Sequence, residues 1–457
     1  MSKAKIIVAG IGPGSAGDVT PAVLEAVRQS DVVIGYKYYF QFVEPYVQAG
    51  TECVDTGMLK EKERARQAFE QAEQGKTVCV ISSGDAGIYG MAPLIWEMKR
   101  ERGSDLEIEV LPGISAFQKA ASLLGAPILL FFFLNLLLGS VTIPAGQVWK
   151  ILWGGEVDNT IWQNIVLKSR FPQALTALVA GAGLSVAGLQ MQTVFRNPLA
   201  GPSVLGVSSG ASLGVAFVVL LSGRLGGVAL SRLGYMGEFA MTMAAIVGAL
   251  AVMALIVYVA QKVRGNVTLL IIGVMIGYVA NAIIGVLKFF SAEEDVRAYV
   301  VWGLGSFARV SGGQVMTFVL IMAILLPLSF LLVKTLNLLL LGDGYARNLG
   351  LNIRRARMSV IACSGVLVAI VTAYCGPISF LGLAVPHLCR GIFRTSDHRV
   401  LMPASLLAGA SLALLCNLIA RMPGFEGALP VNSITALIGA PVVAVVLFKR
   451  RKEDTGE

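Results

Sequence analysis

Histidine is almost missing from this chain: His387 and His398 are the only two in 457 residues, and neither stands in a Cys, Asp or Glu cluster with metal-ligand spacing. Both read as structural residues, and no metal site is expected. The six cysteines, Cys53, Cys79, Cys363, Cys375, Cys389 and Cys416, contain no CxxC pair. They read as reduced, small core residues rather than disulfide or zinc partners. Neither GxxxxGKS nor GxxxxGKT occurs, so the chain has no phosphate loop of its own for ATP. Lys and Arg are scattered between apolar segments instead of clustering with aromatic side chains, which argues against nucleic acid as a partner. Charge is scarce altogether, at 14% of residues against 55% apolar, a balance foreign to water-soluble proteins.

The scarcity is uneven. Residues 1–127 carry 13 Lys or Arg and 16 Asp or Glu, a net of −3, whereas residues 128–457 carry 24 and 12, a net of +12. The first part has the charge of a cytoplasmic domain, and the second has the sparseness expected where each buried charge is costly in hydrocarbon. Between them "GAPILLFFFLNLLLGS", 125–140, passes from one kind of sequence to the other with no linker. The opening "MSKAKIIVAG" reads as a strand and glycine turn, not a signal peptide, so the amino terminus is expected in the cytoplasm.

Three strand, turn and helix units are legible before residue 127. A buried strand at 6–9 enters the glycine-rich turn 10–17, and a helix opens near Thr20 and Pro21. A second strand at 78–82 ends in a Gly-Asp turn, and a third at 106–111 ends in a Pro-Gly turn with a helix from Ser115. In an open α/β sheet, ligands bind where such strand ends converge, and the lone carboxylate of Asp85 is placed to fix a polar one. The spacing GxGPG is not the dinucleotide pattern GxGxxG, and a tight turn that merely needs glycine remains the alternative.

"GIGPGS", "VIGYKYY", "TGMLKEKERARQAFEQAEQGKTVCVISSGDAGIYGMA" and "LPGISAFQKAASLLGAP" resemble the amino-terminal half of the tetrapyrrole methylases, nearest the precorrin-3B type. The resemblance covers about residues 3–127. It implies S-adenosylmethionine held in a trough between two domains, touched by Gly12, Pro13 and Gly14, by Gly84, Asp85 and Ala86, and by Ser115 and Ala116. The second domain that closes the trough is replaced here by apolar sequence. Methyl transfer by this chain alone is therefore not expected, because alignment of the reacting groups supplies much of the rate. The alternative is a methyltransferase of cobalamin synthesis tethered to the membrane.

From Ile128 the chain reads as ten apolar spans, at about 128–143, 174–193, 203–221, 239–261, 268–290, 315–340, 356–374, 378–393, 400–420 and 432–448. Most are near the ~20 residues a bilayer requires; the first and eighth are short. "SAEEDVRAYVVWGLGSF", 291–307, is too charged to span and is expected outside the bundle. With the amino terminus inside, 15 of the 24 basic residues fall on inner ends, and both termini are cytoplasmic. Small residues along 169–214 suit close helix packing, while Asn197, Pro198 and Pro202 break a helix where only protein or a cavity could cover the backbone. Residues 336–357 read either as two short helices broken at glycine, a cytoplasmic knob, or as a solvated basic loop. The fold class is thus mainly α: a ten-helix transmembrane permease, 128–457, behind an α/β half-domain of tetrapyrrole methylase type, 1–127.

"RNPLAGPSVLGVSSGASLG", "LNLLLLGDGYARNLGL", "GPISFLGLAVPHLCRGIFRTSDHRVLMPASLLAGA" and "LPVNSITALIGAPVVAVVL" resemble the permease subunit of ATP-driven importers for iron-siderophores, haem and cobalamin. The resemblance implies a homodimer in the cell inner membrane. It implies an ATPase subunit, which binds the ATP, docked at 341–352 through Gly342, Asp343, Ala346, Arg347, Leu349 and Gly350. A gate is implied at Gly265, Asn266 and Val267, and an external binding protein docked on Arg170 and Arg421. Two positions depart from the pattern: Gln173 replaces an arginine, and Asn417 replaces the acid four residues before Arg421.

The first span is expected to be the weakest element. Ile128–Leu138 rises only about 17 Å of the ~30 Å hydrocarbon core, and extension to Ile143 gives about 24 Å with Asn135 inside it. Borrowing residues 116–127 adds length but pulls Lys119 into lipid and takes a helix from the sheet.

Overall fold

The computed structural model describes residues 4–57, 60–87, 90–155, 159–201, 205–225, 235–262, 266–310, 312–393, 395–422 and 428–455. They form two compact units, Met1–Leu123 and Leu124–Glu457.

The first unit is built on β1 (Lys5–Gly10), α1 (Pro21–Gln29), β2 (Val32–Tyr36), β3 (Glu52–Thr56), α2 (Glu61–Glu73), β4 (Val78–Ser82), α3 (Ala92–Arg102) and β5 (Glu107–Leu111). All pairings are parallel, in the order β3-β2-β4-β1-β5. The continuous apolar runs of β1 and β4 suit central strands covered on both faces. Alternation along each strand decides the faces. Ile6, Val8, Val32, Ile34, Val78 and Val80 meet Ala65, Ala68, Phe69 and Ala72 of α2 and Ile95 of α3. Ala9, Val33, Cys79 and Ile81 meet Val19, Val23 and Val27 on the other side. Burial pushes the Cys79 thiol up to about 12, so it stays protonated and inert, an apolar filler.

The next helix, α4, runs unbroken from Ala116 to Leu137, and the boundary between the two units falls inside it. The first span thus starts 12 residues earlier than the apolar run at 128 and stops at Leu137; residues 138–144 are not helical. Its start is fixed by a reciprocal cap: the Gln118 amide donates to Ser115 Oγ at 3.2 Å and the Ser115 amide donates to Gln118 Oε1 at 2.8 Å. The 22 residues rise about 33 Å, of which the 14 that belong to the second unit, 124–137, give about 21 Å. The charge this brings along is matched, since Lys119 Nζ lies 2.6 Å from a carboxylate oxygen of the buried Asp18. One helix serves both folds, and neither is stripped of it.

The second unit continues with α5 (Phe171–Phe195), α6 (Val207–Leu225), α7 (Tyr235–Lys262), α8 (Asn266–Phe289), α9 (Glu293–Gly303), α10 (Gly313–Phe330), α11 (Val333–Leu340), α12 (Asp343–Asn348), α13 (Ile353–Cys375), α14 (Leu381–Phe393), α15 (His398–Ala420) and α16 (Val431–Thr455). Among the described residues, seven helices are long and apolar enough to cross a membrane: Gln118–Leu137, Thr160–Phe195, Met236–Lys262, Thr268–Phe289, Gly313–Phe330, Ile353–Cys375 and His398–Ala420. Three shorter apolar helices, Val207–Leu221, Leu381–Phe393 and Val431–Ala444, complete the ten segments. The sixth differs from its expected course. It ends at Phe330 after Pro327, whose missing amide weakens the last turns, and α11 follows as a separate helix.

α5 is the central helix, packed on α10, α13, α14 and α15. Its glycines and alanines let backbones touch: a Cβ at Gly188 would stand 1.7 Å from the Gly382 carbonyl oxygen on α14. Gly188→Ala is expected to destabilise the permease by about 1–3 kcal/mol or more, as overpacking does. Thermal unfolding in detergent checks this, and an unchanged midpoint would contradict the packing.

Candidate functional site

At one end of the bundle, α4 stops and α5 begins, and two of the implied docking residues meet there. Arg170, only 1% exposed, is spent on the end of the first span. Its Nη1 donates to the carbonyls of Leu136 at 2.7 Å and Leu137 at 2.8 Å, and its Nη2 to the carbonyl of Val141. These are the carbonyls a helix terminus leaves without partners, and a guanidinium suits the negative end of the helix dipole. Gly139 leaves the room, since a Cβ there would lie 3.0 Å from Nη2. A guanidinium enclosed by three carbonyls is a helix cap rather than an accessible docking charge. The sequence hid this because the partners are backbone atoms about thirty residues away.

Arg421 is half-buried at the end of α15, and its Nη1 has no hydrogen-bond partner among the described residues. Asn417 does not serve it. Asn417 Nδ2 donates to Asn135 Oδ1 at 2.7 Å, and Asn135 Nδ2 donates to the carbonyls of Leu414 at 2.9 Å and Phe131 at 2.7 Å. The asparagine that seemed a defect of the first span is its buried fastening to α15. With the amide satisfied on both sides, the polar group is tolerated in an apolar bundle.

The knob lies at α11 and α12, two short helices broken at Gly342. Gly342 (φ 102°) and Gly350 (φ 83°) adopt the left-handed backbone that glycine alone takes without strain. Ala346 is buried and anchors α12, and its carbonyl accepts from the Leu351 amide at 3.0 Å. Tyr345, Arg347 and Leu349 are exposed. Asp343 is partly exposed and bridges two arginines: its two oxygens lie 2.6 Å from Arg196 Nη2 and 2.5 Å from Arg357 Nη2. Close by, His398 sits buried between Thr193 Oγ1 at 2.7 Å and Asn337 Oδ1 at 2.8 Å, linking α5, α11 and α15. Gln192 of α5 accepts from Arg390 of α14 at 2.5 Å. This polar layer left no sign in the sequence, because its members come from separate segments, Arg196 and Asp343 147 residues apart and Thr193 and His398 205.

Of the implied gate, Asn266 and Val267 open α8, and Gly265 lies outside the described residues, as does Pro202. A cavity of about 220 Å³ lies along α8 and the start of α6, lined by Gly206, Ser209, Gly273, Gly277, Tyr278 and Asn281 among others.

In the first unit, the loops after β1, β4 and β5 converge. The Gly84 amide donates to the Gly12 carbonyl at 2.8 Å, and the Gly12 amide returns to the Gly84 carbonyl at 3.2 Å. A Cβ at Gly113 would stand 2.3 Å from the Gly84 carbonyl oxygen. Gly14 and Gly84 face open space, Pro13 lies between the bonded turns, and Ala86 is buried. Asp85 accepts from the Gly87 amide at 2.8 Å. Ser115 is occupied by its cap and Ala116 begins α4. The loops make one wall, built of backbone, that could lie against an adenosyl group.

A bundle of apolar helices around a small-residue core, with a short-helix knob at one end, defines a membrane permease subunit. The sequence pattern of the FecCD transport family matches residues 127–449, and the chain belongs to that family. The pattern of the tetrapyrrole (corrin/porphyrin) methylases matches residues 5–200. Its part beyond Leu123 falls on helices of the second unit, so the amino-terminal domain of methylase type ends within α4. The hemin transport system permease protein HmuU of Yersinia pestis is 33% identical over 333 residues, covering 72% of this chain and 96% of that protein. The vitamin B12 import system permease protein BtuC of Shigella boydii is 34% identical over 312 residues, 68% of this chain and 91% of that one. A solved metal-chelate type ABC transporter in an inward-facing conformation superposes with a TM-score of 0.62 at 29% identity, covering 72% of this chain and 99% of its own.

Arg170→Ala is expected to leave the end of α4 uncapped and cost on the order of 3 kcal/mol, the loss of charge-assisted bonds to buried carbonyls. Limited proteolysis in detergent checks it: cleavage should move into residues 138–144, and an unaltered digestion pattern would contradict the cap.

Proposed function

We propose that two copies of this chain form the pore of an ATP-driven importer for a metal chelate or tetrapyrrole, in the class of iron-siderophore, haem and cobalamin. The observation that carries the reading is the knob: a buried Ala346 between left-handed glycines presents Tyr345, Arg347 and Leu349 as a rigid, exposed surface. Such a surface suits the groove of a partner ATPase, which binds the ATP. Closure of two ATPases would move the knobs and open the pore alternately to each side of the cell inner membrane. Both termini lie in the cytoplasm on this reading, as the basic bias of the inner ends favours. An external binding protein would bring its carboxylates to the half-buried Arg421, the docking arginine that is not spent on the end of α4. Transport needs no resident cofactor.

Proteoliposomes holding the chain with its ATPase and binding protein test this with labelled haemin, a ferric siderophore and vitamin B12. ATP-dependent uptake of one of them is expected, and Arg421→Ala should weaken binding-protein affinity by about tenfold, near 1.4 kcal/mol. Absence of uptake for all three, with no ATPase retained by the chain, would end the reading.

The open glycine loops favour a second reading, in which the amino-terminal domain still holds S-adenosylmethionine. Methyl transfer is not expected from one wall of a trough. Calorimetry of the full chain with S-adenosylmethionine decides: binding near micromolar affinity, about 8 kcal/mol, supports the enzyme reading, and no heat removes it.

A further inference from the structure

We infer that Asp343 is a positioning residue, the pin of a clasp that makes the knob move as one body with α5 and α13, and not a contact to the motor. The inference rests on the transport reading and adds the route by which force enters the bundle. Three segments meet on this single carboxylate. Arg196, just past the end of α5, reaches one oxygen at 2.6 Å, and Arg357, in the second turn of α13, reaches the other at 2.5 Å. Arg196 Nη2 also donates to the carbonyl of Leu339 at 3.2 Å, which ties in α11. A carboxylate holding one guanidinium on each oxygen has a fixed orientation, and charge-assisted bonds of this kind are the strong ones.

The backbone of Arg196 supports the assignment. It adopts a left-handed conformation, φ 49°, at the C-terminus of α5. That position normally belongs to glycine, and a side-chain residue there is strained. An arginine keeps the place because its guanidinium is needed two helices away. α5 is itself the most embedded helix, in contact with α10, α13, α14 and α15. A displacement delivered to the knob is thereby passed to the centre of the bundle rather than absorbed by a loop.

Spin labels at Asn348→Cys and Leu199→Cys, on chains diluted with unlabelled copies so that each pair reports within one protomer, test the clasp in the full chain in lipid nanodiscs, with the exposed Cys53 changed to Ser. One narrow distance is expected in this background, with and without the ATPase and a non-hydrolysable ATP analogue. Asp343→Asn should broaden it, Asp343→Glu should restore it, and Asp343→Asn with Arg196→Gln should be no broader than either alone. Arg196→Gly is the sharpest arm, because relief of backbone strain predicts a tighter protein while loss of the clasp predicts a broader distance. In the assembled complex, uptake per ATP hydrolysed should fall about tenfold for Asp343→Asn, within the usual range of coupling between sites. A narrow distance in Asp343→Asn or Arg196→Gly overturns the clasp. If no ATPase binds the chain, the transport reading fails instead, and the label distances still report on the clasp.

Discussion

The fusion depends on one constraint: a helix must have both its ends satisfied. The four leading amides and four trailing carbonyls of α4 have no partners within the helix. Ser115 and Gln118 answer the first, with Lys119 held by Asp18, and these are residues of the methylase-type domain. Arg170 answers the second, with Asn135 fastened to Asn417, and these belong to the permease. Each fold contributes the end it knows how to finish, and no linker is required.

The permease core follows a different economy, in which small residues replace bulk. In lipid no hydrophobic gain draws helices together, so contact area and backbone approach decide the packing. Gly188 against Gly382 and Gly181 against Gly409 bring α5 into backbone contact with α14 and α15. Polar ties at the inner layer, through Gln192, Thr193 and Asn337, then fix which helix faces which.

Much of this was legible beforehand. Short apolar runs located the strands at 6–9 and 78–82, and longer ones located ten helical segments, because both signals are local. The start of the first span was misplaced, since hydropathy marks where lipid-compatible residues begin whereas a helix begins at its cap, here Ser115. The interruption at Leu331 escaped because hydropathy stays high through it, with Ser329 the one polar residue in 318–333. In the candidate site, glycine spacing offered the knob as one of two readings, the other being a solvated loop, and the helices on either side of Gly342 decide between them. The contacts of Arg170 with Leu136, Asn135 with Asn417 and Asp343 with Arg196 could not be read from spacing, because separations of 34, 282 and 147 residues leave no periodic trace.

The shallow seating of the first span has a consequence for which of its turns the bundle fixes. Only 17% of the Gln118–Leu137 window is buried, against 89% for Thr160–Phe195. The bundle grips its peripheral helix through the last turns, at Asn135, Leu136 and Leu137. Everything upstream has to be helical and oily, and little else is demanded of it. Those ties lie in the carboxy-terminal half of α4, so a change of sequence in its first turns leaves them in place.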